Sequence, residues 1–196
     1  MTSGLEGVVA AETDLSHTDQ KNGMVRVRGH DLCRPWWRGS DSRAPLPCCG
    51  KVFAGTGLSA ESIRSLFGAA RVQAFAGLDP WLTQAARRPL FEGVRLGLAG
   101  MPDTATPAEL VGALTVALPA LLRAANGLAP VPPDPDLTTA ADLLRMLHGQ
   151  KADPASVAAL DVYVTVMAES GLSGSAFTAR VVASNRASMT CAVLGA

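Results

Sequence analysis

The sequence predicts an all-α fold preceded by a small N-terminal β-hairpin. Apolar residues recur at helical spacing from Leu58 onward, capping and breaking residues punctuate that region, and β-prone runs cluster near the start. Val8 to Ala11 and Met24 to Arg28 are the β-prone runs, and Asp19-Gln20-Lys21-Asn22-Gly23 lies between them. Asn-Gly tolerates positive φ at both positions, so an antiparallel hairpin over about residues 8 to 28 is expected.

Residues 33 to 51, CRPWWRGSDSRAPLPCCGK, follow neither the helical nor the strand period. Proline opposes helix and polar residues interrupt any strand, which predicts an irregular loop. Arg, Pro, Cys, Trp and Gly together are also what a GC-rich gene yields out of frame, so a pair of compensating frameshifts is expected here, with a lineage-specific loop as the alternative.

Beyond it, Ser59 is placed to cap a helix carrying Ser62, Ile63, Leu66 and Phe67. A second helix is expected from about Pro80 to Ala99, with Leu82, Leu90, Val94 and Leu98 on one side. Thr106-Pro107 opens a third, whose stripe is Leu110, Leu114, Leu118, Leu121 and Leu122 and in which Pro119 predicts a kink or an early end. Four prolines between Gly127 and Asp136 make a stiff connector. Thr138 caps a helix ended by His148-Gly149, and Asp153-Pro154 starts another to about Ala168. After the glycine-rich turn Glu169 to Gly174, one last helix is expected from Phe177 to Ala196, with Phe177, Val181, Val182, Met189 and Val193 on its apolar face. The organisation expected is a hairpin over 1–32, an irregular segment over 33–57 and a helical domain over 58–196.

Composition narrows the function classes. Hydrophobic residues make up 48% of the 196, charged residues 17%, and the formal net charge is zero. That is a globular composition with no electrostatic footprint for nucleic acid or an anionic membrane. Weak charge also protects solubility poorly, so an exposed apolar face should be covered by a partner. The opening MTSGLEGVVAAETD lacks a basic region leading into an apolar stretch, and the apolar run Leu110 to Leu122 is short of a membrane span, so the expected compartment is the cytoplasm. Cys33, Cys48, Cys49 and Cys191 form no CxxC pair; free thiols and no metal site are expected. Of the three histidines, His17 lies in the hairpin, His30 follows its second strand, and His148 sits where the helix dipole favours a cation. Spacing alone assembles no catalytic constellation.

One segment does carry a signature. Glu169 to Ser184 reads ESGLSGSAFTARVVAS, in which Gly171, Ser175, Phe177, Thr178, Ala179, Arg180, Val181, Ala183 and Ser184 match a helix-opening pattern preceded by a His-Gly-x-Asn loop. This resembles the citrate synthase family. Gly4 to Thr13 and Arg28 to Leu32 resemble that family's opening hairpin, and Pro130 to Leu137 with Ala140, Ala141 and Leu144 resemble the connector and helix before the signature. The resemblance covers most of residues 4 to 196 apart from 33 to 51.

The resemblance implies an acyltransferase that condenses acetyl-CoA, or propionyl-CoA in methylcitrate synthases, with oxaloacetate in the tricarboxylic acid cycle. It implies no bound cofactor, the acyl-CoA entering as substrate. An Asp would take a proton from the acyl methyl group, a His would polarise the thioester, and His and Arg side chains would hold the oxaloacetate. The loop His aligns with Ser170 and the loop Asn with Ser173, and serine cannot carry an imidazolium's charge. Ser170, Ser173, Thr178 and Arg180 are the candidate substrate-binding residues. The catalytic His and Asp are expected beyond Ala196, so the chain alone is expected to be an inactive, truncated copy. The family's homodimers make a second copy, or a full-length synthase, the expected partner. A non-catalytic regulatory subunit paired with such a synthase is the alternative.

Overall fold

The computed structural model describes residues 16–19, 24–27, 30–31, 60–167 and 173–196, with side chains described over 61–164 and 173–196. Strand β1 (Ser16–Asp19) pairs antiparallel with β2 (Met24–Val27), which pairs antiparallel with β3 (His30–Asp31). The register sets Asp19 opposite Met24, so the connection falls at residues 20 to 23, at the Asn-Gly signal. The partner of Met24–Val27 is therefore Ser16–Asp19, and the expected strand at Val8–Ala11 lies outside the described residues, as do residues 33 to 57. His17 sits in β1 and His30 in the third strand, which pattern alone did not reveal.

The helices are α1 (Ala60–Ala76), α2 (Asp79–Ala85), α3 (Leu90–Ala99), α4 (Pro107–Ala125), α5 (Thr139–His148), α6 (Pro154–Met167), α7 (Gly174–Ser184) and α8 (Met189–Gly195). Two expected helices are each split. The Pro80–Ala99 helix breaks into α2 and α3 because Pro89, extended at ψ 142°, removes an N–H and starts the second piece. The Phe177–Ala196 helix breaks at Asn185–Ser188. Arg186 takes φ +60°, and Ser188 caps α8 by accepting from the Cys191 N–H at 3.1 Å.

Other signals act as their chemistry requires. Thr106 forms a capping box with Glu109: the Thr106 N–H donates to Glu109 Oε2 at 2.7 Å, and Thr106 Oγ1 accepts from the Glu109 N–H at 3.3 Å. Gly149 closes α5 at φ +76°, a left-handed cap that glycine adopts without strain. Pro119 does not end α4, which continues to Ala125 with Pro119 fully buried. With 19 residues, α4 is long and apolar enough to cross a membrane by length and composition, beyond the stretch read from Leu110 to Leu122. Here it is the helix around which α1, α2, α3 and α5 pack.

The face α4 buries follows its leucine stripe only in part. Leu110 and Leu121 are buried, but Leu114 is exposed, and Gly112, Thr115, Val116, Ala117 and Ala120 fill the interface instead. Small residues let the backbones approach: a Cβ on Gly112 would lie 2.7 Å from the Ala70 carbonyl carbon of α1. In α1 the buried residues among those whose side chains are described are Gly68, Ala70 and Arg71, while Leu66 is exposed. One core gathers Leu78, Leu82, Ala85, Val116, Ala120, Leu121 and Met146, with Trp81 and Phe75 against it. A second joins Leu98, Ala105 and Leu110, with Leu194 of α8 packed on it.

Candidate functional site

The signature helix α7 opens at Ser173, whose Oγ accepts from the Ala176 N–H at 3.1 Å. Thr178 lies one turn in and donates from Oγ1 to the Gly174 carbonyl at 2.9 Å. Its face packs on α8, since a side chain at Gly195 would meet Val182 and Thr178. Arg180 follows two residues later, about 200° around the helix. It is exposed and has no hydrogen-bond partner among the described residues. Seven positions separate Ser173 from Arg180, which puts them on one side, roughly 10 Å apart along the axis. The structure thus groups Ser173 with Arg180 and turns Thr178 toward α8. Ser170 lies outside the described residues. Ser175 Oγ donates to the Ala196 carbonyl at 2.9 Å, tying the start of α7 to the end of α8. The α8 cap is fixed in turn by Ser188 Oγ donating to Asp103 Oδ1 at 2.7 Å and Thr190 Oγ1 donating to the Pro102 carbonyl at 3.0 Å.

Sequence reasoning missed the polar centre of the fold. Asp142 of α5 is 0% exposed and Arg71 of α1 is 1% exposed, with Arg71 Nε donating to Asp142 Oδ2 at 2.7 Å. Arg71 Nη2 donates to the carbonyls of Asp134 and Leu137, both at 3.0 Å, and Nη1 to Thr139 Oγ1 at 3.3 Å. Asp142 also accepts from the Asp134 N–H at 3.1 Å and from Arg145 Nη2 at 2.7 Å. Arg145 Nη2 further reaches the Pro132 carbonyl at 2.5 Å, and Arg123 of α4 donates from Nε to the Ala129 carbonyl at 2.7 Å. Three arginines from α4, α5 and α1 therefore clamp the carbonyls of the proline-rich connector. Proline lacks N–H groups but keeps its carbonyls, so a connector without a regular ladder is held by outside donors. The available signal was an arginine set among alanines in α1, an unusual residue for a helix face that otherwise reads as core.

His148 ends α5 and is exposed. Thr106, through its N–H and its hydroxyl, holds the Glu109 carboxyl below its ordinary value, whereas burial pushes the Asp161 carboxyl of α6 up. Among the described residues these groups do not converge with Arg180 into a catalytic set.

The sequence model of the citrate synthase C-terminal domain matches residues 91–196. A Mycobacterium tuberculosis protein provisionally named citrate synthase 2 is 30% identical over 208 residues, covering 98% of this chain and 52% of its own length. The citrate/2-methylcitrate synthase of Bacillus subtilis is 26% identical over 211 residues, covering 98% and 55%. The chain thus spans about half the length of the curated relatives it matches. In three dimensions it is similar to citrate synthase from Thermotoga maritima, with TM-score 0.72 at 18% identity over 100% of this chain and 54% of that one. It is also similar to the Thermoplasma acidophilum citrate synthase solved with carboxymethyl coenzyme A and oxaloacetate, with TM-score 0.68 at 17% identity. The helix order, the capped signature helix and the match over 91–196 agree: this chain belongs to the citrate synthase family.

Proposed function

We propose that this chain descends from an enzyme that condenses acetyl-CoA or propionyl-CoA with oxaloacetate, and that the 196-residue chain does not itself catalyse the reaction. The observation that carries both halves is a signature helix with Phe177, Thr178, Ala179 and Arg180 intact behind a loop in which serine stands at the position of the family's histidine. Condensation needs a base at the acyl methyl group, a donor at the developing enolate oxygen and fixed cations for a dianion. The chain's three histidines are placed in β1, in β3 and at the exposed end of α5. In this reading Ser173 and Arg180, on one side of α7, border what would hold oxaloacetate, and Ser170 is assigned there by its place in the motif alone. Arg180 is the cation of that group, and Thr178 serves the α7–α8 contact.

A second reading rests on exposed apolar residues of α6, α7 and α8: Tyr163 is 62% exposed, Val164 52%, and Val181 and Met189 46% each. Such surface favours a partner, either a second copy or a full-length synthase, for which this chain would be a non-catalytic subunit. The test is thiol release from acetyl-CoA and from propionyl-CoA with oxaloacetate, using the purified chain. No CoA release is expected from the chain alone, and measurable turnover would overturn the proposal. Adding a full-length synthase and following mass by light scattering tests the second reading, which requires a mixed complex.

A further inference from the structure

A cavity of about 300 Å³ lies between α5 and α6, with an apolar wall of Leu137, Ala141, Val157 and Ala158. That is the small end of the range of ligand pockets, ~300–1,000 Å³. Two cations border it, Arg145 and Lys151. Arg145 is held in place from behind: its Nε and Nη2 both donate to Asp142 Oδ1, at 3.1 and 2.7 Å, leaving Nη1 without a hydrogen-bond partner among the described residues. The buried polar centre behind it sets two guanidiniums, Arg71 and Arg145, against the single carboxylate of Asp142. Lys151 stands exposed just past the left-handed Gly149 and has no ion pair among the described residues. The cavity thus combines an apolar wall with two cations, one of which is immobilised in advance. Asp161 also borders it, so one carboxylate stands beside the two cations of the lining.

We propose that this cavity binds a short aliphatic carboxylate, its charged end between Arg145 Nη1 and Lys151 and its chain against Ala141, Val157 and Ala158. Preorganised Arg145 supplies the directed hydrogen bond and Lys151 a point charge. The site is separate from α7 and does not depend on the condensation chemistry proposed above.

The test is isothermal titration of the whole 196-residue chain with hexanoate and with hexan-1-ol. Saturable one-to-one binding of hexanoate is expected, with the alcohol at least tenfold weaker because it lacks the charge. Ala158→Trp, at an exposed position on the cavity wall, should abolish binding by filling the space, and Lys151→Met should weaken it about tenfold. No saturable binding, equal affinity for the alcohol, or hexanoate affinity unchanged in both variants would overturn the proposal.

Discussion

Removing Arg71 is the sharpest perturbation of this fold. The side chain is 1% exposed, pairs with a carboxylate that is 0% exposed, and supplies donors to two connector carbonyls and Thr139. In Arg71→Met the Asp142 carboxylate keeps Arg145 and the Asp134 N–H, but the Asp134 and Leu137 carbonyls lose their donor. Breaking a buried pair by deleting one partner costs about 3–5 kcal/mol. Against a total domain stability of ~5–15 kcal/mol that is a large fraction. Asp142→Leu should cost a similar amount, because two guanidiniums are left facing one another. Arg145, 22% exposed, can swing toward solvent and limit that loss, whereas Arg71 cannot. The double variant should therefore be more stable than the sum of the single losses predicts, by about 0.5–3 kcal/mol. Urea unfolding followed by far-ultraviolet circular dichroism measures all four proteins. A loss under about 1 kcal/mol for Arg71→Met, or strict additivity in the double variant, would refute the assignment of this cluster as the fold's polar lock.

Further perturbations separate local from tertiary contributions. Gly112→Ala forces a methyl group to within 2.7 Å of the α1 backbone at Ala70 and should cost about 1–3 kcal/mol in the same urea assay, although alanine is the better helix former. Thr106→Ala removes the hydroxyl half of the α4 capping box and should cost about 1 kcal/mol, read as a fall in the unfolding midpoint. Glu109, whose folded value lies below the ordinary 4.5, adds stability that is fully present above 4.5 and lost as pH falls through the folded value; Glu109→Gln should flatten that part of the acid unfolding curve. Asp161 has the opposite sign. Its folded value is raised above 3.8, so the folded state holds a proton more tightly, and that stabilisation is full below 3.8 and lost as pH rises through the raised value. Asp161→Asn should therefore be the more stable protein at pH 7, with the gap closing below pH 3.8, and a pH-independent difference would count against burial as the cause.

How much of this could be read in advance depended on how local the physics is. Thr106-Pro107 with Glu109, Thr138, Asp153-Pro154 and Gly149 each act through neighbours within a turn, so the starts of α4, α5 and α6 and the end of α5 follow from the sequence directly. The Phe-Thr-Ala-Arg segment pointed to the family in the same direct way. Breaks were harder to read, because Pro89 and the Asn185–Ser188 corner sit inside patterns whose apolar period continues across them, although proline's backbone restriction and the Ser188 cap act locally once the pieces pack.

What the sequence by itself determined is the helical class, most element starts and the family. Those rest on capping chemistry, backbone restrictions of proline and glycine, and a contiguous signature. The tertiary structure alone decided which faces are buried. The leucine stripe of α4 gives way in part to Gly112, Thr115, Val116 and Ala120, because close approach of α1 and α4 is worth more than burying longer side chains at a wider spacing. It alone placed Arg71 against Asp142, 71 residues apart, where removal from water makes each charge depend on the other. It also turned Thr178, and not Arg180, toward α8: two residues along a helix point about 200° apart, and only packing decides which side is covered.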